Sequence, residues 1–271
     1  MQISIIDAFT ERPFAGNPAA VCLLPDGDWP EERWLRQVAR EMNLSETAFV
    51  RRLPDGDWAL RWFTPMTEVP LCGHGTLAAT HALRTGGLVA AEPVRFHTLS
   101  GVLTATPRPD GRIGLDLPTA ALTETAVPDG LAEALGAAVL SCRDTGGLGI
   151  LVAELGSEHA VRGLAPDLAA ITRQPARGVA VTARAEDREG GYDFVSRYFA
   201  PAAGVAEDPV TGSAHTALTP FWAERLGRTG LTGYQASVRG GLLDCELLGD
   251  RVRLAGHAVT VVEGTLRAHP R

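Results

Sequence analysis

The sequence predicts an α+β protein that is rich in β-sheet and consists of two successive halves. Three observations support this fold class. Alternating apolar and polar residues predict many short strands, whereas few segments have helical periodicity. The chain also contains an internal repeat, and each copy leads into a helix of small residues. We expect an N-terminal half at 1–117 and a C-terminal half at 118–260, with a last strand near 260–271 that could return to the first half.

Strands alternate with two helices in the first half. Strand patterns occur at 2–9, 19–24, 46–53, 58–65 and in a hairpin over 94–118. An amphipathic helix is predicted at 30–43, because Pro30 suits a first turn and acidic residues follow it. The second helix begins near Gly73 and stops at Gly86.

The second half repeats this alternation. Strand patterns occur at 140–146, 149–155, 178–183, 193–201 and in a meander over 235–268, and a polar turn separates two of them at 184–192. A short helix is predicted at 129–136, and a longer one starts near Gly212. Proline lacks an amide hydrogen, so Pro220 is expected to kink this longer helix or to end its regular part.

The internal repeat is visible in two aligned stretches. "RWFTP" at 61–65 resembles "RYFAP" at 197–201. With three extra residues in the second copy, "EVPLCGHGTLA" from Glu68 then aligns with "EDPVTGSAHTA" from Glu207. In this alignment His74 falls opposite Ser213, and Cys72 falls opposite Thr211. The helix that follows each loop is small and apolar on nearly all sides, which predicts a buried helix, possible inside a curved sheet.

Composition excludes several classes of function. The formal net charge is −7 and the chain contains no lysine, which excludes lysine Schiff bases and phosphate loops that need a lysine. The acidic balance gives no support for a nucleic-acid partner. The four cysteines are widely separated, and no apolar run approaches the length of a membrane span. No signal peptide is recognisable at the N-terminus, so we expect a cytoplasmic protein without a membrane partner.

Two glycine-containing loops are candidate binding sites. Each loop precedes a helix start, where free backbone N–H groups and the helix dipole favour an anion. Gly73 and Gly212 could therefore help bind a small carboxylate, with the two loops facing each other across a gap between the halves. Alternatively, these glycines only permit tight packing. Ser213 could donate to the carboxylate, cap the helix, or do both.

Four further side chains are candidates for acid–base work. The helix dipole disfavours a charged His74, so a neutral ring that donates or accepts a hydrogen bond is expected, unless the ring is purely structural. Asp208 could accept a proton from a ligand amine or serve as a helix cap. Glu46 lies between Ser45 and Thr47; a partly buried carboxyl there could be a general acid–base, although this segment alone favours a surface loop. Cys72 could be a base at the helix start, but a small buried cysteine fits better.

The residues also exclude a recognisable metal motif. The histidines are scattered, and neither H-x-x-x-H nor H-E-x-x-H occurs. "GGLG" at 146–149 lacks the spacing of a dinucleotide fingerprint. These residues therefore predict neither a metal site nor a dinucleotide-binding loop.

Several segments, among them the two glycine-containing loops, give the sequence a resemblance to the PhzF family, named for phenazine biosynthesis. The resemblance rests on "DAFTERPFAGNPAAV", "MNLSETAFV", "FTPMTEVPLCGHGTLAATHAL", "RYFAPAAGVAEDPVTGSAHTAL" and "QASVRGG". These segments cover nearly the whole chain. The family implies the diaminopimelate-epimerase-like fold, with two pseudo-symmetric halves, each a curved, barrel-like sheet around a central helix, and an active site in the cleft between them. It also implies a cofactor-independent biosynthetic isomerase and a homodimer.

Site residues follow from the resemblance position by position. The glutamate of "SETAF", here Glu46, would be the catalytic acid–base, with His74 and Asp208 as its catalytic partners. The same resemblance assigns substrate binding to Ser213, Ser45 and the backbone at two glycines, Gly73 and Gly212.

Three functions remain open. The first is an isomerase that moves a proton on a small cyclic or amino-acid-like carboxylate, similar to trans-2,3-dihydro-3-hydroxyanthranilate. The second is an amino-acid racemase or epimerase that uses Cys72 and Glu46 as unlike bases. Relatives with two cysteines carry a thiol at both helix starts, whereas Thr211 occupies the second position here. The third is a non-catalytic protein that binds carboxylates.

Overall fold

The structure is a computed structural model, and it describes residues 1–186 and 190–270. The chain forms two compact units, one of residues 1–116 with the C-terminal segment from Ala255, and one of Leu117–Leu254. The polar turn predicted at 184–192 includes residues 187–189, which lie outside the described residues. Among the described helices, none combines the length and the hydropathy that crossing a membrane requires.

The strands of the described residues are β1 (Gln2–Ala8), β2 (Asn17–Leu23), β3 (Glu46–Arg52), β4 (Trp58–Phe63), β5 (Glu68–Val69), β6 (Val94–Thr98), β7 (Gly101–Pro107), β8 (Ile113–Pro118), β9 (Thr123–Thr125), β10 (Val139–Asp144), β11 (Ile150–Leu155), β12 (Gly178–Arg184), β13 (Phe194–Ala200), β14 (Val205–Asp208), β15 (Gly230–Gln235), β16 (Gly241–Leu248), β17 (Arg251–Gly256) and β18 (Ala258–Thr265). The helices are α1 (Glu32–Met42), α2 (Gly73–Thr85), α3 (Leu131–Leu135), α4 (Glu158–Arg162), α5 (Leu168–Thr172) and α6 (Gly212–Leu226).

The first unit is a mixed sheet around helix α2. Antiparallel pairs join β18 to β1, β1 to β2, β3 to β4 and β6 to β7. Two parallel pairs, β2 with β3 and β4 with β6, connect these segments. Helix α2 packs against β1, β2, β3, β7 and β18, and nearly all of its residues are buried. Small side chains such as Ala78 and Ala79 allow this close packing.

The second unit has the same order of pairings. Antiparallel pairs join β9 to β10, β10 to β11, β12 to β13 and β15 to β16. Its parallel pairs are β11 with β12 and β13 with β15. Helix α6 occupies the position of α2 in chain order and packs against β11, β15 and β16. The two units are therefore structural repeats, and the predicted α+β class is confirmed.

Equivalent ion pairs in the two units are further evidence for the repeat. Arg61 donates two hydrogen bonds to Glu68, with distances of 2.7 Å from Nε and 2.6 Å from Nη2. Arg197 donates to Glu207 in the same bidentate way, at 2.7 and 2.9 Å. Each pair ties the strand before the loop to the short strand that leads into the buried helix.

Peripheral helices cover the sheets. Leu35 and Val38 on α1 pack against Cys22, Phe49 and Phe63 of the first sheet. This burial explains the amphipathic pattern that predicted α1. In the second unit, α3, α4 and α5 bury an apolar cluster of their own on β11–β13.

Of the two effects predicted for Pro220, a kink or an end of the regular helix, the end is wrong. Helix α6 continues through Pro220 to Leu226. A proline at this position cannot donate to the carbonyl of Thr216, four residues earlier. The amide of Ala120 lies 3.3 Å from that carbonyl oxygen and donates to it instead, so the acceptor stays satisfied.

Candidate active site

The first candidate cluster lies where helix α2 begins. Cys72 is the N-cap residue, with extended backbone, and its Sγ accepts a hydrogen bond from the amide of Gly75 at 3.3 Å. A Cβ on Gly75 would lie 2.8 Å from the Trp62 ring and 2.9 Å from this sulfur. Glycine is therefore required here, since any side chain would push the helix start away from β4.

His74, in the first turn of α2, contacts the carboxylate of Glu46. Its Nε2 lies 3.1 Å from Glu46 Oε2, and the two side chains are 6% and 17% exposed. Glu46 is the first residue of β3 and pairs with Ala19 of the parallel strand β2. A loop position in the sequence thus becomes a partly buried carboxylate whose direction is fixed by the sheet.

Asn17 contacts the other nitrogen of the same imidazole ring. Its Nδ2 lies 3.2 Å from His74 Nδ1, and the Asn17 side chain is fully buried. Sequence reasoning missed a role for Asn17. The available signal was an amide at the start of an apolar strand, two residues before the position that pairs with Glu46.

The protonation of the cluster follows from its neighbours. Burial disfavours a charged His74, whereas the adjacent carboxylate of Glu46 favours it, and the pKa of His74 is raised above its ordinary value. The amide nitrogen of Asn17 is a donor and needs an unprotonated Nδ1, so the neutral ring expected at the helix start stays a prediction. Burial also raises the pKa of the Cys72 thiol, whose Sγ lies 3.6 Å from His74 Nδ1. Cys72 is a buried thiol, which is the alternative that the sequence favoured.

The second candidate cluster lies where helix α6 begins. Asp208 ends β14, and its Oδ2 accepts the hydroxyl hydrogen of Thr211, the N-cap residue. Gln235 fixes this turn: its Oε1 accepts from the Thr211 amide at 2.8 Å, and its Nε2 donates to the Asp208 carbonyl at 2.7 Å. Asp208 is thus held by the turn and is not itself the cap. Gln235 was missed as a site residue, although it begins the "QASVRGG" segment.

The remaining predicted residues are placed at the same two helix starts or beside them. Ser45 is half-buried and directly precedes β3. Gly73 and Gly212 are the first residues of α2 and α6, and both are buried. Ser213 is half-buried in the first turn of α6, so the prediction that it caps the helix is wrong. The predicted residues thus form one cluster in each unit, and their binding roles stay predictions.

Structural similarity to known proteins assigns the chain to a fold class. A probable proline racemase from Agrobacterium radiobacter K84 superposes with a TM-score of 0.63, covering 99% of this chain and 93% of that one at 16% identity. At such identity the likeness concerns the fold alone. Together with the two repeated units, it places the chain in the diaminopimelate-epimerase-like fold class, as predicted.

Closer matches define the family. A phenazine biosynthesis protein of the PhzF family from Enterococcus faecalis superposes with a TM-score of 0.90 at 39% identity, covering 97% of each chain. The model of the phenazine biosynthesis-like protein family matches residues 6–264. The chain therefore belongs to the PhzF, or phenazine biosynthesis-like, family.

Two relatives illustrate the range of the family. An uncharacterized isomerase from Pseudomonas aeruginosa is 47% identical over 269 residues, covering 98% of this chain and 99% of the relative. The human phenazine biosynthesis-like domain-containing protein is 40% identical over 289 residues, covering 99% of both. The resemblance inferred from the sequence motifs is thus confirmed.

Proposed function

We propose that this protein is a cofactor-independent isomerase that moves a proton on a small cyclic or amino-acid-like carboxylate. The contact between Glu46 Oε2 and His74 Nε2, 3.1 Å long and largely shielded from water, is the observation that carries the proposal. It provides a carboxylate that can accept a proton, next to a ring that can hold positive charge. Relatives named as isomerases support the same class of reaction.

In this mechanism Glu46 takes a proton from one carbon of the substrate and returns it to another. The C–H electrons remain in the substrate as a delocalised anion until the proton returns, so no oxidant or reductant is needed. His74 Nε2 lies 3.1 Å from the Glu46 carboxylate, and the hydrogen bond that Asn17 Nδ2 donates to His74 Nδ1 holds the ring in place. Since the carboxylate is fixed on β3, little reorganisation is required before the proton moves.

Binding roles are assigned to the other predicted residues. Ser45, Ser213 and the amides of Gly73 and Gly212 would donate to the substrate carboxylate, because helix starts offer unpaired N–H groups. Asp208 would accept from a substrate amine; the bond from Thr211 leaves its carboxylate fixed in direction. The resemblance of the sequence motifs to the PhzF family makes trans-2,3-dihydro-3-hydroxyanthranilate the first substrate to test.

Deuterium incorporation tests the assignment of the base. The wild type and Glu46→Gln are incubated with this substrate in deuterated water, and the product is analysed by mass spectrometry. We expect Glu46→Gln to lower the rate of incorporation by about 10²- to 10⁴-fold, the usual contribution of a general acid–base. Glu32→Gln, which changes an exposed carboxylate on α1, is the matched control. Incorporation at the wild-type rate in Glu46→Gln would show that another group is the base.

A racemase that uses Cys72 and Glu46 is the second candidate. The observation that favours it is the position of Cys72 Sγ, 3.6 Å from His74 Nδ1, within the same cluster. Circular dichroism of single amino acids over time detects this activity. Loss of activity in Cys72→Ser, but not in Cys142→Ser, would favour the racemase. Binding of carboxylates by the wild type without any turnover would instead indicate a non-catalytic protein.

A further inference from the structure

We propose that Glu46, Cys72 and His74 form a binding site for a soft divalent cation such as Zn²⁺, and that the bound cation blocks proton transfer. Cation binding itself does not depend on the proposed isomerase activity. Only the inhibition rests on that function, so failure of one proposal is distinguishable from failure of the other.

The distances among the three side chains suit a small cation. One ligand atom from each lies within 4.8 Å of the other two. His74 Nε2 is 3.1 Å from Glu46 Oε2 and 3.9 Å from Cys72 Sγ. In a tetrahedral zinc site, bonds of about 2.0–2.3 Å separate neighbouring ligand atoms by about 3.3–3.6 Å. The two distances that include His74 are therefore within a few tenths of an ångström of those in a zinc site, and the distance between Glu46 and Cys72 is at most 4.8 Å.

The types of ligand select the cation. A thiolate, an imidazole and a carboxylate together favour Zn²⁺ or Cd²⁺ over Mg²⁺ or Ca²⁺, which prefer oxygen ligands. Binding replaces the S–H bond of Cys72 with a sulfur–metal bond and releases the thiol proton to the buffer. The proton on His74 Nε2 must also leave that atom, either to Nδ1 of the same ring or to the buffer. With Nε2 on the cation, His74 carries its proton on Nδ1. The Asn17 amide, whose nitrogen lies 3.2 Å from that atom, would turn to present its oxygen as the acceptor and so orient the ring.

The ligands come from separate segments, which explains why sequence spacing indicated no metal site. Cys72 and His74 share the start of α2, but Glu46 is brought to them by the pairing of β2 with β3. The same three side chains carry the proposed chemistry. A cation bound to Glu46 would occupy the carboxylate that must accept the substrate proton.

A second group of possible ligands provides a contrast. Asp55, Asp57 and His97 are also within 4.8 Å of one another, but this group is largely exposed and contains no sulfur. The guanidinium of Arg95 lies 3.3 Å from Asp57 Oδ2 and already supplies positive charge there. A cation at this second site would have only nitrogen and oxygen ligands.

X-ray absorption at the zinc edge distinguishes the two groups without any substitution. Reduced wild-type protein is loaded with an equimolar amount of Zn²⁺ and washed. We expect one sulfur at about 2.3 Å and nitrogen or oxygen ligands at about 2.0–2.2 Å. A spectrum with nitrogen and oxygen alone, or loss of the zinc on washing, would overturn the proposal.

Titration with Co²⁺ then assigns the ligands. Wild-type protein should develop a thiolate-to-cobalt absorption band that saturates at one cobalt per chain. Cys72→Ser should lose the band, and Glu46→Gln should weaken binding by about tenfold or more. Cys142→Ser, which changes another buried thiol, should keep it. Circular dichroism establishes that each variant is folded; a band that persists in folded Cys72→Ser would contradict the assignment.

Discussion

His215 makes the second unit sensitive to acid. The side chain is completely buried within α6, and its Nδ1 lies 2.8 Å from the carbonyl oxygen of Thr211, to which it donates. The Phe194 ring lies 5.8 Å away between ring centroids. Burial lowers the pKa of His215 from 6.5 to about 4, and the bond to Thr211 opposes this only in part.

The magnitude follows from the difference between the folded and unfolded states. An unfolded chain takes up a proton at this histidine near pH 6.5, whereas the folded chain does so only near pH 4. Stability is therefore greatest above the unfolded pKa and falls as the pH drops through this window. Each pKa unit corresponds to about 1.4 kcal/mol, so His215 should reduce the free energy of unfolding by about 2 kcal/mol between pH 7 and pH 5.

Urea unfolding at pH 7 and pH 5, followed by circular dichroism, measures this effect. His215→Asn keeps a side-chain N–H near the Thr211 carbonyl but removes the titrating ring. The wild type should lose about 2 kcal/mol more than His215→Asn over this pH interval. His159→Asn, a change at an exposed histidine of α4, should behave like the wild type. Equal pH dependence in the wild type and His215→Asn would refute the reasoning, whatever the stability of the variant at neutral pH.

Two further substitutions test how the helix starts are held. Gly75→Ala should lower stability by about 1–3 kcal/mol, because its Cβ would lie 2.8 Å from the Trp62 ring. Gly147→Ala, where nothing lies within 4 Å of the added carbon, is its control in thermal unfolding. Gln235→Leu should cost about 1–3 kcal/mol, because it leaves the Thr211 amide without its acceptor. An unchanged urea midpoint in Gln235→Leu would mean that the turn does not depend on this side chain.

The repeat in the sequence was enough to predict the scaffold. Glu68 and Glu207 aligned because each binds an arginine of the preceding strand, and that strand carries the "RWFTP" or "RYFAP" motif. Small residues predicted the buried helices, since a helix inside a sheet has no exposed face to mark with charge. The arginine–glutamate motif and the run of small residues each lie within a short stretch of sequence. They can therefore be recognised in both copies without knowing how the chain folds.

The arrangement of the candidate site was less accessible to sequence reasoning. Asn17, Glu46 and His74 meet because β2 pairs in parallel with β3 and α2 packs against both. Residue patterns predict each strand but not its partner or its register, which depend on distant parts of the chain. For the same reason the partners of His74 could not be predicted: the helix dipole was visible in the sequence, but the carboxylate beside the ring was not.

The divergence of the two repeats argues against a racemase that uses one base from each repeat. Strand registers place Gly178 of β12 where β3 has Glu46, because Thr47 pairs with Phe63 and Val179 pairs with Phe199. A Cβ at Gly178 would lie 2.3 Å from the Tyr198 hydroxyl, so no carboxylate fits there.

All three titratable groups of the first cluster are thus replaced in the second copy: Glu46 by Gly178, Cys72 by Thr211 and His74 by Ser213. A racemase with matched bases needs a proton carrier at equivalent positions of both repeats. A reaction in which one carboxyl removes and returns the proton needs only the first set. The second repeat, which retains its Arg–Glu pair and buried helix, therefore argues against a racemase with matched bases. Glu46 and Cys72 both belong to the first repeat, so proton transfer by Glu46 alone and by Glu46 with Cys72 both stay candidates.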